Sequence, residues 1–295
     1  MTELKNAKNI KTDILIVGSG AAGLYCALKL PKEKQIVIIT KEDAESSDSF
    51  LAQGGMCVLK SEEDYDRYFE DTMRAGHYKN RKESVDIMIR SSQDIVKELI
   101  RYGVEFEQEN GKLLYTREGG HSTHRIVFHE DITGKEITSK LLAAVKKCEN
   151  VKLIEYTTMI DLLTDGTTCM GAVTVDKEDR KQVIEAGDTV LACGGLGGLY
   201  EHSTNFRHLT GDALAIALSH GIKLENIDYI QIHPTTLYSK KPGRRFLISE
   251  SVRGEGAVLL DKNGNRFVNE LLPRDLLTKE VYAQMEKDDM PYVRL

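Results

Sequence analysis

Residues 13–30 read DILIVGSGAAGLYCALKL, and they decide the fold. The run from Asp13 to Val17 is apolar and rich in β-branched residues, which is typical of a buried parallel strand. Ala21 to Leu30 consists of good helix formers, and Pro31 ends that segment. A second apolar run lies at Gln35 to Thr40. A strand, a helix and a strand in this order predict a βαβ unit that opens an α/β sheet.

The loop between the first strand and the helix, GSGAAG at residues 18–23, fits the pattern GxGxxG. Gly18 allows a tight turn, Gly20 lets the backbone approach a pyrophosphate, and Gly23 lets helix and strand pack closely. The pattern is common by chance, but its place between a strand and the N-terminus of a helix indicates a Rossmann-like dinucleotide site. Thr40-Lys41 stands where an NAD site carries a ribose-binding acid, so plain NAD binding is disfavoured.

Length and composition set the class of protein. The chain has 295 residues, and its hydrophobic and charged fractions, 41% and 29%, are those of a globular protein with room for one large α/β domain and a smaller lobe. The net charge of −6 argues against nucleic acid or an anionic membrane as the main partner. No apolar run could span a bilayer and no signal peptide is recognisable, so we expect a cytoplasmic protein. Five scattered cysteines without a CxxC pair favour buried thiols over disulfides or zinc.

The rest of the chain is predicted to contain helices and then a run of short strands. Apolar residues at helical spacing predict helices over 64–76, 82–102 and 132–148, the last with Thr133 as its N-cap. From Val151 onward, turns separate predicted strands that form a meander inserted before the chain returns to the main sheet. These strands are 152–156, 159–164, 169–176, 182–186 and 189–192. The chain stops at Leu295 in what reads as an unfinished strand, so we expect the sequence to be truncated there.

Further motifs follow in a fixed order and carry a resemblance to a known family. They are SFLAQGG at 49–55, REGGHS at 117–122, DITG at 131–134, ACGG at 192–195, TGDA at 210–213, HPT at 233–235, SESVRGEGA at 249–257 and PRD at 273–275. From Asp13 to its last residue the chain resembles the succinate dehydrogenase/fumarate reductase flavoprotein family, and within it the members that oxidise L-aspartate. The resemblance implies the first segment of an FAD-binding domain over residues 1–232, with the β-meander inserted in it. It also implies an incomplete α+β substrate-capping domain over 233–295.

The resemblance assigns three sets of residues to FAD. The set at the pyrophosphate is Ser19, Gly20, Ala21 and Ala22. The set along the isoalloxazine ring and ribityl chain is Asp48, Ser49, Phe50, Leu51, Ala52, Gln53, Gly54 and Gly55. Further contacts are implied for Lys41, for Asp212 and, at the adenine, for the backbone near Thr158. Relatives that hold FAD covalently carry a histidine at the position of Asp48, so FAD is expected to be bound non-covalently here.

The resemblance also implies an active site. Arg274 matches the active-site arginine of the family, and Glu250 and Arg253 match a proton relay coupled to it. From the residues alone, a structural set of ion pairs on a helix and a loop is favoured, since Arg253 follows Glu250 on one helical face. His233 and Ser249 match residues that hydrogen-bond a substrate carboxylate. Glu118, the acid of REGGHS, is the residue that distinguishes the aspartate-oxidising members of the family from the members that act on succinate or fumarate.

That acid, Glu118, pairs with the α-ammonium of L-aspartate in the aspartate-oxidising members. Succinate has no ammonium, so a carboxylate facing it would gain nothing. The implied reaction is therefore FAD-dependent oxidation of L-aspartate to iminoaspartate, the first step of NAD biosynthesis. The implied electron acceptor is O2, giving H2O2, or fumarate, and quinolinate synthase is implied as a partner through the pathway.

Two alternatives stay open. One is a soluble fumarate reductase or succinate dehydrogenase flavoprotein. The other is an inactive truncated fragment, poorly soluble because half a flavin pocket leaves apolar surface exposed. A metal site is not expected, since the spacing of His121, His124 and His129 fits no standard zinc pattern.

Overall fold

The computed structural model describes residues 8–295. The chain divides into two compact units, each made of two stretches. Unit 1 comprises Met1–Ala52 and Gly134–Ile227, and unit 2 comprises Gln53–Thr133 and Asp228–Leu295. The two units are therefore interleaved along the chain. The domain boundary expected between residues 232 and 233 stays a prediction.

The secondary structure alternates between long and very short elements. In chain order the strands are β1 (Lys8–Val17), β2 (Ile36–Ile39), β3 (Met56–Cys57), β4 (Gln108–Glu109), β5 (Lys112–Leu113), β6 (Ile126–Val127), β7 (Val151–Ile154), β8 (Thr157–Thr164), β9 (Cys169–Asp176) and β10 (Lys181–Leu191). The α-helices are α1 (Ala21–Lys29), α2 (Asp48–Leu51), α3 (Tyr65–Ala75), α4 (Lys82–Arg101), α5 (Thr133–Val145), α6 (Asp212–Ser219), α7 (Glu250–Gly254) and α8 (Arg274–Asp288).

Unit 1 is built on a six-stranded sheet with the strand order β7-β2-β1-β10-β9-β8. The neighbours from β7 to β10 pair in parallel, and β10, β9 and β8 pair antiparallel. Every residue of β2 is buried, as expected for a strand covered on both faces. The core of this unit consists of side chains from both halves of the sheet: Leu15, Val17, Val37, Ile39, Met159, Ala172, Ile184 and Ala186. The predicted fold class, an α/β sheet extended by an antiparallel meander, is confirmed.

Two predictions about the sheet are wrong. The predicted strand 152–156, placed in the meander, is β7, which pairs in parallel with β2 at the edge of the main sheet. The sequence suggests separate strands over 182–186 and 189–192, whereas the structure has the single strand β10. Gly187 does not interrupt it, because β10 pairs with β1 on both sides, Thr12 with Ala186 and Ile14 with Asp188. The long parallel partner holds the strand together, and β10 therefore belongs to both the parallel sheet and the meander.

Unit 2 is made of helices and short strands. The predicted helices 64–76 and 82–102 are confirmed as α3 and α4, which share a core of Leu59, Tyr68, Met73, Val85 and Ile89. A separate small core beside α8 consists of Leu259, Leu277 and Val281. Thr133, predicted as an N-cap, is instead the first residue of α5. Its hydroxyl donates to Gly54 O (2.5 Å) and accepts from His129 N–H (2.9 Å).

Candidate functional site

The glycine loop of unit 1 brings β1 and α1 together as the sequence predicts. Gly18 has φ = 119°, and a Cβ there would lie 2.2 Å from Ala192 O on the neighbouring strand. A Cβ at Gly23 would lie 2.1 Å from Gly18 O. Gly20 is the N-cap of α1 and has no side chain to cap the helix, and Ser49 Oγ lies against the first turn from outside. This is the local geometry that a pyrophosphate needs.

Side chains of the expected FAD set hold the loops around this turn. Ser49 Oγ accepts from Ala21 N–H (3.1 Å), so residues of the pyrophosphate and ring sets meet directly. Ser19 Oγ is buried and is engaged with Thr40 Oγ1 (3.1 Å) and Ala44 O (3.1 Å). The hydroxyl of Ser19 is thus used inside the protein, and a phosphate would meet the backbone here.

Lys41 and Asp212, both expected at the cofactor, form an ion pair within unit 1. Lys41 Nζ donates to Asp212 Oδ2 (2.8 Å), Thr210 Oγ1 (3.1 Å) and His208 O (3.0 Å). Burial raises the pKa of Asp212, but the hydrogen bonds from Lys41 and Thr210 outweigh it, and the pKa lies below its ordinary value. The pair is half-buried and holds the Lys41 ammonium in place just after β2.

Asp48 stands at the start of α2 and is held by the chain itself. Its carboxylate accepts from Phe206 N–H (3.0 Å) and from the Asn205 side-chain amide. The helix α2 is also packed closely against the start of α5, since a Cβ at Gly134 would lie 2.2 Å from Ser49 O. Phe50 lies under Lys135 Nζ, 5.8 Å from the ring centroid. Leu51 is the last residue of α2.

The expected ring-binding segment is divided between the two units, with Ala52 in unit 1 and Gln53 in unit 2. Gln53 Oε1 is buried and has no hydrogen-bond partner within residues 8–295. A Cβ at Gly55 would lie 2.4 Å from Val127 O, so β6 fixes this stretch. Thr158 lies on β8 in unit 1, one residue after Thr157, whose N–H donates to Thr40 O (2.9 Å).

A cluster of charged side chains lies in unit 2, which we call the charged cluster: Glu118, Glu250, Arg253 and Arg274. Arg274 donates to Glu250 Oε2 from Nε (2.7 Å) and Nη2 (2.6 Å). Its Nη1 donates to Gln231 Oε1 (2.7 Å). The sequence expectation that Glu250 and Arg274 act together is thus matched by direct contact, although the two lie far apart in sequence.

Arg253 is fully buried but only partly hydrogen-bonded. Nη1 donates to Glu270 O (2.6 Å), and Nη2 lies 3.7 Å from Glu250 Oε1. Within the described chain, Nε and Nη2 have no hydrogen-bond partner. Unpaired buried donors on a charged group are costly, so this guanidinium is suited to meet an anionic ligand.

Glu118 has an exceptional environment. No donor in residues 8–295 hydrogen-bonds its carboxylate, and a Cβ at Gly54 would lie 2.8 Å from its Oε1. A Cβ at the next residue, Gly119, would lie 2.9 Å from Glu250 Oε1. Burial and the neighbouring Glu250 raise the pKa of Glu118 above its ordinary value, although Arg274 opposes them. The site therefore presents an acid that Arg274 compensates only in part, and a cationic group would stabilise its charged form.

His233 is positioned to hydrogen-bond a ligand. Its Nδ1 lies 2.9 Å from Thr235 O and 3.3 Å from Thr235 N, and its Nε2 is buried without a partner in the described residues. Burial and the positive charge of Arg274 lower its pKa to about 4, so the ring is neutral at pH 7. The shorter contact, to Thr235 O, is one that an Nδ1–H makes, and it leaves Nε2 of the neutral ring an acceptor. Nε2 can donate to a carboxylate only in the other tautomer, in which Nδ1 accepts from Thr235 N–H.

Ser249, expected beside the same carboxylate, is the N-cap of α7. Its Oγ accepts from Ser251 N–H (3.4 Å) and lies 2.8 Å from Ser251 Oγ. Ser249 thereby fixes the start of the helix that carries Glu250 and Arg253, and both of these side chains are buried.

Sequence reasoning missed the groups that support these residues. Gln231 orients Arg274, and buried Glu270 accepts from Leu259 N–H (2.8 Å) and pairs with Arg266 (2.6 Å). Arg125 is fully buried between Asp64 and Asp71. The one signal in the sequence was Arg125 itself, an arginine directly before the apolar residues 126–128. If buried, it would need an acid as its partner.

The family described as FAD binding domain matches residues 13–294. The chain belongs to this family. This FAD-binding chain is 46% identical over 276 residues to the L-aspartate oxidase of Clostridium perfringens, covering 93% of this chain and 63% of that protein. It is 36% identical to the L-aspartate oxidase of Bacillus subtilis, covering 96% of this chain and 54% of that protein. The predicted cofactor class is confirmed as FAD.

Structural comparison supports the same grouping. A quinol fumarate reductase from E. coli superimposes with a TM-score of 0.87 at 27% identity, covering 95% of this chain and 51% of that protein. The expected resemblance to flavoproteins of this kind is confirmed. The FAD-binding chain spans between half and two thirds of the length of these relatives.

The residues of unit 1 fit FAD. Backbone at Gly20 is open to a pyrophosphate, and Ser47 Oγ is a buried hydroxyl without a partner in the described part of the chain. Residues 8–295 contain no helix long and apolar enough to cross a membrane. They also contain no group of three or more His, Cys, Asp or Glu side chains arranged to hold a metal ion.

Proposed function

We propose that this chain is part of an enzyme that oxidises L-aspartate to iminoaspartate with FAD. The proposal is supported by the FAD binding domain family and by the likeness to two L-aspartate oxidases. FAD would supply the chemistry by accepting the two electrons that leave Cα as a hydride, and the α-ammonium would give up one proton as the C=N bond forms. The remaining steps of binding and orientation fall to side chains of this chain.

The Glu118 carboxylate is the observation that carries the proposal. It lies beside a second acid, Glu250, and accepts no hydrogen bond from residues 8–295. An α-ammonium group would pair with it and remove the repulsion between the two acids. A plain dicarboxylate would instead add negative charge next to Glu118. The site therefore favours an amino dicarboxylate over succinate.

The carboxylates of the substrate require donors, and unit 2 offers three of them. His233 has a buried Nε2 without a partner, and Arg253 has two such nitrogens within the described chain. Arg274 would face the reacting carbon, held by Glu250 and Gln231. A guanidinium fixed on two sides cannot rotate freely, so it can keep one orientation towards the substrate. Ser249, at the N-cap of α7, would add a hydroxyl.

We further propose that FAD is bound non-covalently, with residues 19–22, 48–55, Lys41, Asp212 and the backbone near Thr158 as its contacts. Asp48 is no nucleophile towards the flavin, and its carboxylate is already engaged with Phe206 and Asn205. Acid precipitation of the yellow protein should leave all flavin in the supernatant. Flavin that stays in the washed pellet would contradict this part of the proposal.

The electron acceptor is proposed to be O2, yielding H2O2, or fumarate, and quinolinate synthase is proposed to use the product. The deciding experiment is calorimetric titration of the FAD-loaded protein with L-aspartate and with succinate. Glu118→Gln should weaken L-aspartate about tenfold to hundredfold, because a charge-assisted hydrogen bond is lost, and leave succinate unchanged or tighter.

Glu109→Gln, an exposed acid in the same unit, is the matched control and should change neither affinity. Equal losses for both ligands in Glu118→Gln would sink the assignment of Glu118. A wild-type protein that binds and oxidises succinate in preference to L-aspartate would favour the fumarate reductase or succinate dehydrogenase alternative.

A further inference from the structure

We propose that the buried network of Arg125, Asp64 and Asp71 is a positioning device for Glu118 and thereby sets the preference for an amino dicarboxylate. This inference rests on the proposed function, since it concerns how the ammonium-binding acid is held. It assigns a role to three residues outside the expected substrate and cofactor sets. All of its contacts lie within unit 2.

The network is a buried guanidinium between two acids. Arg125 is 0% exposed, and it donates from Nε (3.0 Å) and Nη2 (2.9 Å) to Asp64. Its Nη1 donates to Asp71 Oδ2 (2.6 Å). Burial raises the pKa of each acid, but the hydrogen bonds from Arg125, Ser122 and Thr123 more than offset this, and both pKa values lie below normal. Both acids are therefore charged at pH 7.

Both acids also hold the loop that carries Glu118. Asp71 Oδ2 accepts from Ser122 N–H (2.8 Å) and Ser122 Oγ (2.6 Å). Asp64 Oδ1 accepts from Thr123 Oγ1 (3.0 Å). On the other side of Glu118, Thr116 pairs with Ile126 through backbone hydrogen bonds of 2.9 and 3.1 Å. The loop is thus fixed at both ends.

Glu118 depends on this fixation more than most side chains would. Its carboxylate accepts no hydrogen bond within residues 8–295, so only the longer-range charges of Glu250, Arg274 and Arg253 act on its orientation. Its place against Gly54 follows from the backbone. The loop also contains two glycines, and Gly120 has φ = 84°, so without the network it would have many conformations. A shift of the loop would move the acid away from the position of the ammonium.

The test replaces one acid of the network. Asp71→Asn removes the charge that Ser122 and Arg125 share, while keeping the size of the side chain. The matched control is Asp86→Asn on α4, because Asp86 is bonded to Tyr65 (2.5 Å) of α3 and to Arg90 (2.8 Å) and does not contact the loop. Both variants are loaded with FAD. Each is then titrated with L-aspartate and, separately, with succinate.

The expected result is a selective loss. In Asp71→Asn the ratio of L-aspartate affinity to succinate affinity should fall about tenfold to hundredfold, because a small displacement of the acid suffices. Amide exchange at Ser122 should accelerate in the same variant. Asp86→Asn should change neither the ratio nor the exchange rate. A merely structural role would lower stability and weaken both ligands equally, which would overturn the inference.

A milder variant covers the case that Asp71→Asn does not fold. Ser122→Ala keeps the buried ion pairs and removes one donor to Asp71, so the affinity ratio should fall by a few fold. An unchanged ratio in Ser122→Ala together with unchanged amide exchange would overturn the inference. If the wild-type protein shows no preference for L-aspartate, the proposed function has failed. A preserved preference in Asp71→Asn would mean that only the positioning role has failed.

Discussion

The two units present two different kinds of binding surface. In unit 1 the expected cofactor residues lie on the glycine turn and α2, and the hydroxyl of Ser19 and the charges of Lys41 and Asp48 are all satisfied by protein partners. In unit 2 the expected active-site residues are two acids, two arginines, a histidine and a serine, and several buried atoms of His233 and Arg253 have no partner in the described chain. Unit 1 thus offers a ligand backbone groups in a close-packed turn, whereas unit 2 offers it charged side chains whose buried atoms are only partly paired.

This difference has an energetic consequence. An unpaired buried polar group costs about 1–3 kcal/mol, so unit 2 stores an unfavourable contribution that a matching ligand would relieve. In unit 1 the buried atoms without a partner are the neutral hydroxyls of Ser47, Thr138 and Thr189, whereas in unit 2 they include nitrogens of the charged Arg253. Substitutions in unit 1 should therefore act through sterics and stability, and substitutions in unit 2 through ligand preference and rate.

The largest expected effect is that of Arg274→Lys. Lysine keeps the positive charge beside Glu250 but loses the fork that contacts Glu250 and Gln231 together. We expect L-aspartate-dependent production of H2O2 by the FAD-loaded protein to fall about a hundredfold or more, because misplaced acid–base and positioning groups cost that much. The melting temperature should change little.

Arg180→Lys is the matched control, since Arg180 is an exposed arginine that also pairs with an acid, Asp176. It should leave the rate unchanged. A rate in Arg274→Lys close to that of the control would mean that only the charge at this position matters, and the contrast between the units would lose its main support.

The next effect tests unit 1 by sterics. Gly18→Ala places a Cβ 2.2 Å from Ala192 O at φ = 119°, so β1 and β10 must separate locally. The free energy of unfolding should fall by about 2 kcal/mol or more, and FAD affinity should fall with it. Gly195→Ala is the control, since no atom of the described chain lies within 4 Å of the position that its added methyl group would take. Urea denaturation of both variants measures the difference, and equal stability would contradict the geometry.

Sequence reasoning succeeds where the deciding contacts are local and fails where they are long-range. Gly18, Gly20 and Gly23 act within a few residues of one another, so their spacing alone predicts the turn and the helix start that the structure has. The strand break expected near Gly187 was wrong, because pairing with β1 decides that region and local sequence does not. Long-range partners are the information that a single sequence lacks.

The charged cluster shows where local reasoning ends. Glu250 and Arg253 suggest a helical ion pair from their spacing, but their nearest nitrogen and oxygen lie 3.7 Å apart. The stronger contact runs from Glu250 to Arg274, and only the family resemblance suggested that these two residues act together. Gln231 and Asp71 carry no motif at all. Their roles depend on which backbone segments meet, and that could not be read from residue types.

The smallest expected effect concerns His233 and pH. Burial lowers the pKa of His233 to about 4, whereas an unfolded histidine titrates near 6.5. Between these values the unfolded chain binds a proton that the folded chain does not, so stability should decrease as the pH falls from about 6.5 towards 4. His233→Gln should reduce the slope of the free energy of unfolding against pH in this range, by the equivalent of less than one bound proton. His124→Gln, at an exposed position of unit 2, should leave that slope unchanged. Parallel curves for wild type and His233→Gln would show that His233 is not held neutral. The unpaired Nε2 would then be no evidence for a carboxylate site in unit 2.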